Sequence, residues 1–287
     1  MENFDPNILK KLYIPSSSSH KGQNGKLMII GGSHLFHGAS LWSLKVASRI
    51  VDMVFYSSVG ENMRIAEKLK SELFDFILVP RGKIDEYINE SDCVLIGPGL
   101  PRFEGQEEAD DDTKTLTESL LKKYPKKKWV IDGGSLQTID PEVLLGLEQM
   151  PILTPHQREF EILKSRIKNQ ELRIKVENIS LEEQVEVFAR EYNCVVLLKG
   201  EKDIVSSPTE TVVISGGNAG MTKGGTGDVL AGLVAALYSK NDAFVSACAA
   251  SYINKKTGES LFQRVGIYFN ASDLADEIPK VMRELVV

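Results

Sequence analysis

The chain has 287 residues, 42% apolar and 26% charged, enough to build the core of one large α/β domain or two small ones. A formal net charge of −6 argues against a nucleic-acid surface, and no apolar run approaches the length of a membrane span. The start, Met1-Glu2-Asn3-Phe4-Asp5-Pro6, shows no secretion signal, and Cys93, Cys194 and Cys248 are widely spaced in apolar surroundings, which fits core thiols in a reducing cytoplasm.

The first 25 residues read as an arm, with a short helix over 7–12 and a loop over 15–19. His20-Lys21-Gly22 reads on spacing alone as a basic loop. Residues 26–30 form a buried strand that runs through Gly31-Gly32-Ser33 into a helix over 39–51. His34 and His37 lie three apart but lack a third metal ligand, so they read as loop histidines. Strands follow at 53–57, 76–79 and 93–96, with a helix over 62–70, and the fourth strand ends in Gly97-Pro98-Gly99. The acidic tract 104–112 reads as a solvated loop before a helix over 113–123. A strand over 129–132 leads into Gly133-Gly134-Ser135, and another over 151–154 delivers Thr154-Pro155-His156 with Glu159 one turn on. That block suits a strand-end site, a helix capping box, or both. Residues 165–180 carry no clear pattern; a helix over 181–192, a strand over 195–198 and a short hairpin using 204–205 and 211–214 follow. Helices are expected over 242–258 and 272–285. Strands alternating with helices up to residue 200 predict a single α/β domain, 1–287, whose mainly parallel sheet has helices on both faces and short antiparallel strands near its C-terminal end.

The stretch that carries chemistry is Gly216-Gly217-Asn218-Ala219-Gly220-Met221-Thr222-Lys223-Gly224-Gly225-Thr226-Gly227-Asp228, which runs straight into an apolar helix. Glycines let a backbone approach a ligand closely, and the unpaired amides and dipole of the helix start attract an anion. Asp228 in that first turn suits a proton acceptor or a metal contact better than a phosphate contact. A hairpin loop with Asp228 as a cap is the plain structural alternative. Neither the dinucleotide nor the P-loop fingerprint applies.

Seven blocks in order match one family: His20-Lys21-Gly22, Gly31-Gly32-Ser33 with Gly38-Ala39, Gly97-Pro98-Gly99, Ile131-Asp132, Thr154-Pro155-His156 with Glu159, Leu198-Lys199-Gly200, and the Gly217–Asp228 stretch. On these the chain resembles the ADP-dependent NAD(P)H-hydrate dehydratases, which are ribokinase-like in fold. The sequence departs from the family at Gly134, where a second Asp is usual, at Gln157-Arg158, at Ala219 and at Thr222-Lys223, and the tract 104–112 looks like an insertion.

The resemblance implies repair of hydrated NADH or NADPH with hydrolysis of ADP or ATP and with Mg²⁺. It implies Asp228 as base, the Gly225, Thr226 and Gly227 segment as the anion hole, and Ala39, Gly99, His156 and Asp228 at the hydrate. It places Lys199, Gly200, Glu201, Lys202, Asp203, Asn218 and Gly227 at the nucleotide, and Glu159 near the metal through water. It further implies a cytoplasmic homotetramer of the stand-alone form, acting beside a separate NAD(P)H-hydrate epimerase. A vitamin-precursor kinase of the same superfamily, acting on a hydroxyethylthiazole or a hydroxymethylpyrimidine, would use Gly-Thr-Gly-Asp equally well, and a catalytically silent nucleotide sensor is the reading from another class.

Overall fold

The structure, a computed structural model, describes residues 2–102 and 110–286, with backbone alone for residues 2 and 3. Residues 104–109 of the acidic tract lie outside the described residues. One sheet holds all ten described strands: β1 (Glu2–Asn3), β2 (Lys26–Ile30), β3 (Met53–Ser57), β4 (Ile77–Leu78), β5 (Cys93–Ile96), β6 (Lys128–Ile131), β7 (Ile152–Leu153), β8 (Val195–Leu198), β9 (Asp203–Ser206) and β10 (Thr211–Ile214). Their order across the sheet is β1-β10-β9-β8-β7-β6-β5-β2-β3-β4. From β8 to β4 every neighbour pair is parallel, and β9 is antiparallel to both β8 and β10. The expected mainly parallel sheet with a late antiparallel hairpin is therefore observed. The pair of residues in β1 adds a parallel edge strand on β10, too short for any sequence window to reveal.

The helices are α1 (His37–Ala47), α2 (Gly60–Leu69), α3 (Ile84–Glu90), α4 (Thr113–Lys123), α5 (Gly133–Thr138), α6 (Gln157–Ser165), α7 (Gln170–Glu177), α8 (Leu181–Glu191), α9 (Thr226–Tyr238), α10 (Ala243–Val265) and α11 (Ala271–Val286). They cover both faces. Leu27 and Ile29 of β2 join the core formed with α1, α9, α10 and α11, while Met28 and Ile30 join the core with α3, α4, α6 and α8. Burial on both faces explains why the central strands read as unbroken apolar runs instead of alternating patterns.

The helix expected over 39–51 stops at Ala47, because the chain must turn back into β3, where the amides of Asp52 and Met53 donate to Gly25 O. The helix expected to end near 258 continues to Val265, started by Asp242, whose carboxylate accepts from the Phe244 and Val245 amides. Helix α9 is buried almost all round. It crosses α1 closely at Gly232, where a Cβ would lie 2.6 Å from Ser43 Cα, and Ser43 Oγ donates to Asp228 O at 2.7 Å. The arm packs down: Leu9 and Leu12 are buried, and the Tyr13 amide donates to Asn241.

Candidate active site

The carboxyl ends of five parallel strands meet around one crevice, the usual ligand position in an open α/β sheet. Gly31 follows β2, Gly97 follows β5, Asp132 follows β6, Thr154 follows β7 and Lys199 follows β8. Gly99 has φ +71, and a Cβ there would sit 2.6 Å from Phe36 O and 3.0 Å from Ala39 Cβ. Ala39 and Gly99, assigned together from sequence, are thus in contact at the β2–α1 turn.

The start of α9 is built for an anion. Gly225, its cap, has φ +94 and lies flat on Trp42, so that a Cβ would fall 2.4 Å from the indole. The preceding loop is clamped from inside. Asn218 Oδ1 accepts from the Gly220 amide at 2.9 Å and its Nδ2 donates to Gly258 O at 2.7 Å. Thr226 Oγ1 donates to Met221 O at 2.6 Å and Lys223 O at 2.8 Å. Asn218 and Thr226 therefore hold the loop with their side chains, and what they leave for a ligand is backbone. First-turn amides of a helix have no intrahelical partner.

A charge cluster faces this helix start. Lys199 Nζ lies 2.9 Å from Asp132 Oδ1 and 4.0 Å from Glu159 Oε2, and a Cβ on Gly227 would sit 3.4 Å from it. Burial alone would lower the Lys199 ammonium, but Asp132, Glu159 and Asp228 together outweigh it, so its proton is held more tightly than usual. Asp228 goes the other way. Burial, then the charge of Asp132, push its carboxyl from 3.8 up to about 7, against the opposing pull of Lys199. Thr154 Oγ1 donates to Asp132 Oδ1 at 2.7 Å, and Gln137 Nε2 donates to Glu159 Oε1 at 3.2 Å.

His156 caps α6. Its Nδ1 accepts from the Glu159 amide at 3.1 Å, and Glu159 Oε2 accepts from the His156 amide at 2.9 Å. It also bridges β8 beside Lys199 and lines the cleft, so the capping and strand-end readings hold together. His34, by contrast, sits 2.5 Å from Glu61 Oε2 as a surface pair. His20-Lys21-Gly22 lies at the amino ends of the strands, where Asp52 accepts from the Gly22 and Asn24 amides, and is not brought to the crevice.

A cleft of about 920 Å³ opens from the α9 start and is walled by His156, the Lys199–Asp203 segment, the Gly216–Asn218 loop and α10. A smaller cavity of about 300 Å³ under the arm, lined by Leu12, Ile50, Leu237 and Met282, carries no carboxylate. In the large cleft Gly200, Glu201 and Lys202 are exposed, but Asp203 is buried. Its oxygens accept from the Gly200 amide and Ser251 Oγ and pair with Lys255 at 3.2 Å. Asp203 thus holds the loop.

Among the described residues no group of three His, Cys, Asp or Glu side chains could hold a metal ion. Both Glu159 oxygens are already engaged, by the Gln137 amide group and the His156 N–H. The described residues therefore offer Glu159 no free oxygen for direct coordination of a metal ion. Gln137, Trp42 and Lys255 were not singled out from sequence, and Asp132 was named only within the Ile131-Asp132 block, with no role. Asp132 had a usable signal, a carboxylate at the end of a buried strand, and Lys255 another, a cation inside an Ala-rich buried helix.

A mainly parallel α/β sheet with a glycine loop opening a buried helix, an acid at its first turn and a lysine against it places the chain in the ribokinase-like fold class. The family model described as NAD(P)H-hydrate dehydratase matches residues 27–280, and the chain belongs to that family. It is 35% identical over 288 residues to an ADP-dependent (S)-NAD(P)H-hydrate dehydratase of Nitrosopumilus maritimus, covering 96% of this chain and 95% of that one. It is 36% identical over 283 residues to a bifunctional NAD(P)H-hydrate repair enzyme of Methanocaldococcus jannaschii, covering 96% of this chain but 51% of that one, so it spans about half of that relative. A ribokinase-like superfamily protein of Enterococcus faecalis superposes with a TM-score of 0.78 at 20% identity, over 99% of this chain and 95% of that one. An ADP/ATP-dependent NAD(P)H-hydrate dehydratase of Bacillus subtilis, co-crystallised with ATP and Mg²⁺, does so at 0.77 and 22% identity, over 97% and 96%. At these identities the two superpositions bear on the fold alone.

Proposed function

We propose that this protein is an ADP-dependent (S)-NAD(P)H-hydrate dehydratase. The observation that carries the reading is Asp228: a carboxyl whose pKa is raised to about 7, in the first turn of a helix that opens from the Gly224-Gly225 loop. Hydroxide leaves a ring poorly, so the substrate hydroxyl is first phosphorylated by the nucleotide. Asp228 accepts the hydroxyl proton as general base. The backbone amides at Gly225 and Gly227 receive the transferred phosphoryl, while the Thr226 amide is turned to Lys223 O, and the Lys199 ammonium offsets the phosphoryl charge. The phosphoryl transfer leaves AMP. Phosphate then departs with the C–O bonding pair as the ring-nitrogen lone pair forms an iminium, and loss of a proton from the adjacent ring carbon to water restores the double bond of NAD(P)H.

The nucleotide lies along the Lys199–Asp203 segment and the Asn218 loop; the hydrate lies over Ala39, Gly99 and His156. Mg²⁺ supplies charge neutralisation on the nucleotide phosphates, with Glu159 ordering its waters. ADP is the expected co-substrate because the relative that matches over its whole length is described as ADP-dependent. On this reading the protein works in the cytoplasm with an NAD(P)H-hydrate epimerase activity, as a homotetramer. Association of copies is supported by the exposed apolar group Phe262, Val265, Ile267 and Tyr268 at the end of α10.

The test of the base is Asp228→Asn. Turnover of the hydrate should be lost while nucleotide binding is kept. Near-normal turnover in that variant would falsify the assignment.

A further inference from the structure

One buried side-chain oxygen in the cleft wall, Asn254 Oδ1, has no donor among the described residues. Along α10, Ser251, Lys255 and Gly258 follow helical spacing on the face turned to the cleft loops. Each holds a loop: Ser251 Oγ donates to Asp203, Lys255 Nζ donates to Gly200 O at 3.1 Å and Glu201 O at 3.0 Å, and Gly258 O accepts from Asn218. Asn254 shares that face and lines the cleft beside Leu230. It is only 5% exposed, its Oδ1 is buried, and no described residue donates to it. A buried acceptor left unpaired is costly. Its polar neighbours on α10, Ser251, Lys255 and Thr257, all have protein partners, so the unpaired Asn254 oxygen is explained by a donor that arrives with the ligand.

We propose that Asn254 reads the nucleobase, its Oδ1 accepting from the 6-amino group of adenine. This rests on the adenine-nucleotide reading above and names the side chain that makes the choice of base. The chemistry is selective. Hypoxanthine and guanine carry a 6-oxo acceptor, which would meet Oδ1 acceptor to acceptor, whereas adenine offers N–H there. The Nδ2 of the same amide supplies a donor for N7, which accepts in all three purines, so turning the amide over to suit a 6-oxo group would set Oδ1 against N7. Leu230, one turn into α9, gives the base an apolar wall while the phosphates occupy the start of that helix.

The experiment is calorimetric titration of the full chain with Mg²⁺ and three nucleotides: ADP, IDP, and the diphosphate of the 6-unsubstituted purine riboside. The wild type should bind ADP about three- to tenfold more tightly than either of the others, the range expected for one neutral hydrogen bond with its unmade counterpart. In Asn254→Leu the preference should collapse to near unity with IDP affinity little changed. Equal affinities in the wild type overturn the proposal without recourse to the variant. A preference that survives in Asn254→Leu, or equal weakening toward ADP and IDP as for a ribose contact, also overturns it. If hydrate turnover with ADP is intact in those cases, only the base-reading role falls. If the wild type binds no adenine nucleotide, the functional reading falls with it.

Discussion

Replacing Asp228 with Asn should make the protein more stable at neutral and alkaline pH, though inactive. In the folded chain burial and Asp132 hold the Asp228 proton up to about 7, against 3.8 for an unperturbed aspartate. The sign follows from linkage. Below pH 3.8 both folded and unfolded chains carry the proton and the residue is neutral to stability. As pH rises from about 4 to about 7 the unfolded chain releases the proton first, and folded stability falls. Above pH 7 the loss is complete. At 1.36 kcal/mol per pH unit it amounts to at most about 4 kcal/mol. Asn keeps the size of the side chain and removes the ionisation, so Asp228→Asn escapes the loss. At about 2 °C per kcal/mol for a chain of this size, melting should rise by up to roughly 8 °C at pH 8 and little at pH 4.5. The assay is a urea or thermal melt of both proteins across that range. A difference between variant and wild type that is the same at pH 4.5 and pH 8 would refute the reasoning, because it would mean that Asp228 titrates alike in both states.

The same carboxyl sets the acid limb of turnover: the rate should fall below about pH 7 with the slope of one proton, and a flat profile down to pH 5 would remove Asp228 from the proton transfer. Lys199→Met strands Asp132, Glu159 and Asp228 without their cation. It should cost about 3 kcal/mol in a urea melt and move the acid limb to higher pH; an unchanged limb would contradict the charge coupling. Gly225→Ala puts a methyl into the Trp42 indole at a left-handed φ, so loss of nucleotide-dependent turnover is expected, and full activity would show that the α9 start tolerates rearrangement.

The sheet was legible because buried strands announce themselves as apolar runs; β2, β3, β5, β8 and β10 fall where the sequence places them. Short or polar elements were not. Helix α5 begins Gly133-Gly134, which reads as a turn, and its start is held by the Gly134 amide donating to Gly97 O at 3.2 Å, a contact distant in sequence. Helices α3 and α7 are too charged to show an apolar stripe. In the site, sequence located the residues but not the direction of their side chains. Thr226, Asn218 and Asp203 sit where a ligand is expected, yet Thr226 and Asn218 spend their polar atoms on backbone, and Asp203 spends its own on the Gly200 amide, Ser251 and Lys255. Asp132, Gln137, Lys255 and Asn254 act through spatial neighbours far away in the chain, which spacing does not encode. The aspartates 110–112, read with the solvated tract, are partly engaged: Asp110 accepts from the His34 amide, Asp111 from Arg81, and Asp112 caps α4.

The most direct test mixes the protein with NADH hydrate and Mg²⁺, with and without ADP, and follows the near-ultraviolet absorbance of the reduced nicotinamide. The proposed function requires absorbance to rise with ADP present and to stay level without it. No rise with bound ADP, or accumulation of a stable phosphorylated product, would contradict the dehydratase reading and favour a small-molecule kinase.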